Sequence, residues 1–554
     1  MQLSALAKRA WLLLFIAISV FYLWGLGSFP LVGPDEPRYA QVAREMLARH
    51  DFVTPTLGGL PWFEKPPLLY WMMMLSYRVL GISEYSARLG PAICGLLTAV
   101  FIYLIGSEIG KKSGRGYPDE GGSSVGRWSA LVWLSSLGAI CFSRGASFDS
   151  VLTMTVSGAL ACFFIAEIRA TSTDGARSSS NWLRVAFYFF TGLSLLAKGL
   201  VGFVLIFGVI GFYFLLRREW PGKGFLTSLI WGFPLSCAVA GVWYGPMIAR
   251  HGWIFIDQFI IQHHFARFAT NKYHHPGPFY VYLPVLAGLA LPWTIVLVAS
   301  LFGSRRWSWR GPLPLDRALV FALAWLIVPV AFFSFSGSKL AAYILPALPA
   351  VAVLVGERID CFGRDQRGEK VLRFTGTLLI LSAAAAIWYT HKSSGFSFAL
   401  ASLLALPLFL TGVAVLIRPQ PSRRSFMAIV IALFLTGAIG VKWFGPRVAQ
   451  RESTHDLLAA ATARGYANLA VVQLHTIQRT AEFYAAGRIT YKPDGEPVKF
   501  ESAAQVADAA RQNGGAVLCF VPIEFESQLT TLSGSNAEVI ADNGAVALLM
   551  VRPR

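Results

Sequence analysis

About thirteen apolar stretches, each near the length that crosses a bilayer, alternate with short loops, and Lys and Arg gather in every second loop. Lipid is then the main solvent of such a chain. Helices that satisfy their own backbone hydrogen bonds are what its hydrophobic segments can form there. The first stretch, 10–29, follows Lys8 and Arg9, lacks a small-residue cleavage site and leads into further spans, so it reads as an uncleaved helix with a cytoplasmic N-terminus. Further spans are expected near 89–109, 128–143, 150–168, 183–197, 199–216, 225–247, 278–302, 318–336, 341–356, 374–390, 396–417 and 426–444. The loops this division leaves inside carry Lys111, Lys112, Arg115 and Arg127; Arg169, Arg177 and Arg184; Arg217, Arg218 and Lys223; Arg305, Arg306, Arg310 and Arg317; Arg358, Arg364, Arg367, Lys370 and Arg373; and Arg418, Arg423 and Arg424. Consecutive loops that all obey the positive-inside bias make the topology the best-supported reading of this chain.

Composition narrows the function. A net charge of +18 would suggest nucleic acid in a soluble protein. Here the cations lie in short loops beside apolar spans, where they set topology and meet anionic headgroups, and nucleic acid is not an expected partner. Hydrophobic residues make up 55% and charged residues 14% of the chain, more apolar than a soluble core of this size requires. The six cysteines show no CxxC spacing, so neither a disulfide framework nor a thiolate metal site is indicated.

The segments expected outside are furnished differently. A loop of about 30–81 ends in Pro67 to Gly81, whose apolar run is short for a crossing and fits a helix lying at the membrane interface. A second segment, about 250–276, holds Asp257, His263, His264, Arg267, Lys272, His274 and His275. From 445 to 554 the pattern changes. His455 to Arg464 and Ala503 to Arg511 read as helices, and Leu469 to Leu474, Ala516 to Pro522 and Ala545 to Val551 as strands. The fold class is a polytopic α-helical membrane protein with a transmembrane domain over 1–444 and a C-terminal periplasmic α/β domain over 445–554.

Chemistry-bearing residues collect in the external loops. Asp35 and Glu36 precede Pro37 at a helix start, where acids also serve as plain caps. Arg38 and Tyr39 follow at once, and Glu64 and Lys65 form a second acid–base pair near the expected membrane surface. Acids and bases at one interface suit a substrate with a phosphate head and an apolar tail. Arg binds phosphate oxygens through two hydrogen bonds, Lys offers a compact charge, and either stabilises a phosphate leaving group. Lys198 and Lys339, the latter with Tyr343 after it, interrupt apolar sequence where spans reach the outer face; each either snorkels to headgroups or joins Glu36 among the residues expected to bind substrate. Arg267 shares helical spacing with His263 and His264. Asp149 either caps the span it begins or joins Asp35 as a second catalytic carboxylate. Glu64 and His264 are the residues that could bridge the two external loops through a metal, although no HExxH or other tight ligand spacing is present.

These residues also carry a resemblance. Pro34-Asp35-Glu36-Pro37-Arg38-Tyr39-Ala40, Arg44-Glu45-Met46-Leu47, Phe63-Glu64-Lys65-Pro66-Pro67, Ala197-Lys198-Gly199, His264-Phe265-Ala266-Arg267-Phe268 and Lys339 through Tyr343-Ile344-Leu345-Pro346 together resemble the bacterial 4-amino-4-deoxy-L-arabinose transferases that modify lipid A. That family lies in the protein O-mannosyltransferase-like branch of the GT-C glycosyltransferases. The resemblance spans about residues 10–350, and the order of the motifs is what makes it specific. It implies an inverting, monomeric transferase of the bacterial inner membrane that takes a sugar from undecaprenyl phosphate at the periplasmic face and passes it to lipid A, with no cofactor required for the chemistry. Asp35 matches the family's catalytic acid; Arg38, Lys65, Lys198 and Arg267 match positions near the carrier phosphate, and Tyr39 and Tyr343 pocket tyrosines. Glu64 and His264 match a pair associated with a structural zinc, but His263 stands where the family usually has Glu. Trp62 replaces a common Tyr, keeping an aromatic wall and losing a hydroxyl.

A polyprenyl phosphate sugar is already an activated donor, and the chain holds no P-loop. Displacement requires an acceptor oxygen opposite the phosphate, with cations on the leaving side. Asp35 would be general base for a hydroxyl acceptor; an ionised lipid A phosphate needs no base, and Asp35 would then orient it or pair with the sugar's amino group. The rivals are a transferase of another sugar to protein or envelope glycan, and a lipid-linked sugar flippase or transporter. Transport sites place ionisable groups near the midplane between repeated halves, and no internal repeat is visible here.

Overall fold

The computed structural model describes residues 2–111, 121–170, 177–266, 277–365, 368–394, 396–493, 495–532 and 535–553. By internal contacts the chain divides into two compact units: Met1–Trp24, Glu64–Leu69 and Gly90–Ile439 form one, and Gly25–Phe63, Tyr70–Leu89 and Gly440–Arg554 the other.

The first unit is helical throughout. Among the described residues nine helices are long and apolar enough to cross a membrane, or up to eleven if each of two bent pairs, Ser124–Leu134 with Leu137–Ser143 and Phe279–Leu289 with Thr294–Gly303, is one span. Eleven of the thirteen expected spans coincide with these helices and bent pairs, and two miss that standard. α1 (Gln2–Leu23) contributes only the shorter apolar helix Arg9–Leu23. α8 (Arg177–Lys198) is diluted by Asn181, Arg184 and Lys198. A short apolar helix is present before Gly81, at Leu68–Leu80, most of it within the second unit.

Burial separates inner from outer helices. In Phe148–Ala170, 94% of the apolar window is buried, against 28% in Glu369–Lys392 and Phe398–Ile417, so the former is a central post and the latter two present side chains to lipid. Small residues let helices approach: a Cβ on Gly106 would lie 2.5 Å from the Cα of Gly126, and one on Gly412 2.9 Å from the carbonyl oxygen of Gly376. Two aromatic rings, Phe164 and Phe321, stack 4.8 Å apart beside the central helix.

The second unit is built on a five-stranded sheet of order β4-β3-β5-β7-β6, with β3 Ala470–Leu474, β4 Lys499–Phe500, β5 Val517–Pro522, β6 Ser535–Asp542 and β7 Val546–Pro553. β3 runs parallel to β4 and β5, whereas β7 is antiparallel to β5 and β6. Side chains alternate across the pleat. Val471, Leu518, Phe520, Leu548 and Met550 pack with Leu457 and Leu458 on one face, and Val472, Cys519, Val521, Leu549 and Val551 with Val506 and Ala510 on the other. Both faces are covered by helices, which is why the central strands read as continuous apolar runs. The expected strands and helices are all present; β4 and β6, short or polar, escaped the sequence reading.

The same unit contains the first loop. Helix α2 (Asp35–Ala48) is followed by the hairpin of β1 (Thr56–Leu57) and β2 (Leu60–Pro61). The Glu45 carboxylate accepts from Thr56 Oγ1 at 2.8 Å and from the backbone N–H groups of Gly58 and Gly59, closing the hairpin onto α2. Gly58 has φ of +62° and an added Cβ would meet the Tyr491 ring at 2.1 Å, so this turn needs glycine for conformation and for space.

Candidate active site

In the first unit a cavity of about 300 Å³ is lined at its polar end by Glu64, Lys65, Lys198, His263, Ser336 and Tyr343, and along its wall by Leu200, Val201, Phe203, Val204, Phe332 and Phe333. The local sequence makes that arrangement. α8 ends at Lys198, and Gly199 takes φ of 68° and ψ of −148°, a conformation that L side chains rarely adopt, before α9 (Leu200–Arg217) begins. The break turns Lys198 into the cavity mouth and sends the apolar start of α9 along the wall.

Lys198 is not snorkelling to solvent. Its ammonium is ion-paired with Asp149, each side chain 13% exposed, and lies 4.6 Å from the centroid of the Tyr343 ring. Asp149 sits in the first turn of α7 (Phe148–Ala170), and its carboxylate is aimed across to α8. Tyr343, nearly buried, packs at 5.2 Å on Phe333. Asp149, Lys198, Lys65 and Tyr343 thus share one neighbourhood. Lys339 differs: its ammonium donates to the Ser336 carbonyl at 2.7 Å, and it is not among the described residues lining the cavity.

The first-loop residues form a second cluster, in the other unit. Asp35, half-exposed, accepts from Arg38 at 3.0 Å; Arg38 also donates from Nε to the Pro34 carbonyl and lies 5.6 Å from the Trp62 ring centroid. Tyr39 is nearly buried, 6.4 Å from Tyr70 and edge-on to it. Glu36, expected to bind substrate, is joined to Arg88 at 2.7 Å, and Arg88, 1% exposed, also donates to the carbonyls of Leu26, Phe29 and Pro30. That ion pair fixes the path of the chain into α2. Arg88 was not singled out in the sequence; its one visible signal is a cation at the start of an apolar run. Arg144, which donates to the carbonyls of Tyr22 and Trp24 at the end of α1, was missed in the same way.

Arg44 binds the Phe483 carbonyl at 2.5 Å and stacks 4.5 Å from the Phe483 ring; burial holds its guanidinium below the usual arginine range. Tyr484 donates to Glu84 at 2.9 Å and accepts from the Leu31 N–H at 2.7 Å, and burial pushes its phenol up. First loop and C-terminal sheet therefore share one packed unit.

Arg267 lies outside the described residues, as do Lys272, His274 and His275, and the His264 side chain does too. Glu64 lines the cavity beside His263; among the described residues no three His, Cys, Asp or Glu side chains converge in a way that could hold a metal ion, and the expected Glu64–His264 pair lies partly outside those residues.

Comparison with known proteins agrees with this architecture. The family described as Dolichyl-phosphate-mannose-protein mannosyltransferase matches residues 5–256. An undecaprenyl phosphate-alpha-4-amino-4-deoxy-L-arabinose arabinosyl transferase from Pseudomonas paraeruginosa is 32% identical over 389 residues, 68% of this chain and 65% of that protein. Its counterpart in Pseudomonas aeruginosa strain UCBPP-PA14 is 32% identical over 394 residues, 69% of this chain and 66% of that protein. The matched region thus spans just under two thirds of either relative. In three dimensions the crystal structure of ArnT from Cupriavidus metallidurans bound to undecaprenyl phosphate superposes with a TM-score of 0.76 at 22% identity, covering 98% of both chains.

Proposed function

We propose that this chain, ArnT-like in sequence and in fold, is an inverting GT-C glycosyltransferase that moves 4-amino-4-deoxy-L-arabinose from undecaprenyl phosphate to lipid A. The site faces the periplasm, the N-terminus the cytoplasm, and the chain works as a monomer in the inner membrane. The observation that carries the reading is the cavity itself, with two lysines, Lys65 and Lys198, at one end of an apolar trench formed by Leu200, Val204, Phe332 and Phe333. That is the shape and charge of a polyprenyl phosphate: an anion to be neutralised and an isoprenoid chain to be covered.

In the proposed reaction the acceptor oxygen forms a bond to the sugar's anomeric carbon as the bond from that carbon to the donor phosphate breaks. The departing electron pair stays on undecaprenyl phosphate, whose added negative charge Lys65 and Lys198 stabilise. Arg267 is assigned to the same phosphate on the family resemblance. Asp149 holds Lys198 in position while the cavity is empty, Tyr343 braces its ammonium, and Lys339 supports the segment that carries Ser336 and Tyr343. Asp35 is assigned to the acceptor on the resemblance. It takes the proton of a hydroxyl acceptor, or orients an acceptor phosphate that is already ionised. Arg38 keeps its carboxylate oriented, Glu36 positions the loop through Arg88, and Tyr39 packs edge-on against Tyr70.

Purified protein in nanodiscs, given undecaprenyl phosphate aminoarabinose and lipid A, should yield lipid A heavier by one aminoarabinose in mass spectrometry. Donor consumption without any change in lipid A would remove the acceptor assignment, and an untouched donor would remove the reading.

A further inference from the structure

A second cavity, of about 780 Å³, opens on the membrane-facing side of the first unit between α1, α4 (Glu84–Lys111) and α5 (Gly121–Leu134), and shares no lining residue with the Lys65–Lys198 cavity. Its walls are apolar, with Phe15, Leu96 and Val100 among them, and Leu12, Ile93, Leu97 and Val100 are each 40% exposed or more, so the groove is open sideways to lipid. The one hydroxyl on its α1 wall, Ser19, is satisfied by the Phe15 carbonyl at 2.8 Å. At one end the character changes. Trp11, Tyr103 and Arg127 meet there, with the Arg127 guanidinium 5.4 Å from the Trp11 ring centroid. Among the described residues the Arg127 guanidinium has no ion pair and donates no hydrogen bond, although Arg127 is half-buried.

The groove has the dimensions of one leaflet. From Trp11 to Ser19 the α1 wall rises about 12 Å at about 1.5 Å per residue, against about 15 Å for half of a bilayer hydrocarbon core of about 30 Å. Trp and Tyr belong at the headgroup level, and an arginine beside them faces anionic headgroups. Its backbone stands close on α4, where Gly106 meets Gly126, so α5 cannot move inward to fill the space.

We propose that this groove is a binding site for an anionic glycerophospholipid, the acyl chains lying along α1 and α4 and the phosphate held by Arg127. Placing it in the cytoplasmic leaflet rests on the proposed topology; the binding chemistry does not.

The test uses the full chain in phosphatidylcholine nanodiscs doped with phosphatidylglycerol that carries a photoreactive acyl chain. Crosslinks should map to peptides covering 11–19 and 93–103, be competed by phosphatidylglycerol and not by added phosphatidylcholine, and fall about fivefold in Arg127→Gln while Arg127→Lys retains them, the loss expected for one cation near a headgroup. Val100→Trp, which fills the groove from its exposed side, should abolish them while undecaprenyl phosphate binding in the other cavity persists, showing that the protein is folded. Equal labelling by a photoreactive phosphatidylcholine, crosslinks elsewhere only, or stronger competition by undecaprenyl phosphate than by phosphatidylglycerol would overturn the assignment. Impermeant thiol labelling of Arg9→Cys, in a cysteine-free background in intact cells, decides the leaflet separately. Labelling there would overturn the topology and leave the phospholipid site standing.

Discussion

Lys198 and Asp149, forty-nine positions apart, form a nearly buried ion pair at the mouth of the apolar cavity. On the proposed function, the carboxylate holds the ammonium where a lipid phosphate would meet it. Its charge is balanced by the carboxylate until an incoming anion shares it.

Removing the carboxylate should therefore destabilise the empty protein more than the loaded one. Asp149→Asn leaves an uncompensated ammonium, at a cost of about 2–4 kcal/mol given that both groups keep some exposure. Undecaprenyl phosphate supplies the missing charge. The expected result is a lower Tm in detergent that added undecaprenyl phosphate raises by more degrees in the variant than in the wild type; an equal ligand-induced rise in both would contradict it.

Lys65→Ala and Lys198→Ala should each weaken undecaprenyl phosphate binding by about tenfold, a charge-assisted contact of about 1.4 kcal/mol. Uncharged polyprenol should bind both variants as it binds the wild type, since the apolar wall is untouched. Titration with the two lipids separates loss of charge from loss of the cavity.

The Arg88–Glu36 pair should behave as a fastening of the first loop. Arg88→Met strands the Glu36 carboxylate and three carbonyl oxygens, a loss of about 3–5 kcal/mol, whereas Glu36→Gln keeps a hydrogen-bonding group and costs about 1–2 kcal/mol. Limited proteolysis within 25–63 should accelerate in that order. No acceleration in Arg88→Met would show that the pair does not hold the segment.

The second unit should carry a pH signature at Glu482, on the helix Arg479–Tyr484. Burial raises its carboxyl above the usual 4.5, and Arg479, 3.0 Å away, only partly opposes the shift. The folded carboxyl then binds its proton more tightly than the unfolded chain does. Its contribution is present in acid and is lost as pH rises through the raised value. Glu482→Gln, neutral throughout, should gain thermal stability relative to the wild type between acid and neutral pH; a difference that does not change with pH would refute the assignment.

What could be read beforehand followed local rules. Spans were legible because bilayer thickness dictates their length, and Lys198 stood out as a cation inside an apolar run. The strands Val517–Pro522 and Val546–Pro553 were legible as buried apolar runs, whereas Lys499–Phe500 is two residues long and Ser535–Asp542 alternates polar residues on a sheet edge. Asp149 shows where local rules stop. A carboxylate in the first turn of a helix looks like a cap whatever lies opposite it. Nothing local likewise announces that Glu36 pairs with Arg88, fifty-two residues later.

The amino-acid order alone determined that this protein is a multi-span membrane protein, where most of its long apolar helices lie and which segments carry acids, bases and aromatics, because hydropathy, length and charge act along the chain. Only the tertiary structure decided which charges neutralise one another and which cavity they border. Pairing such as Lys198 with Asp149 depends on distances through space, and helix packing sets those.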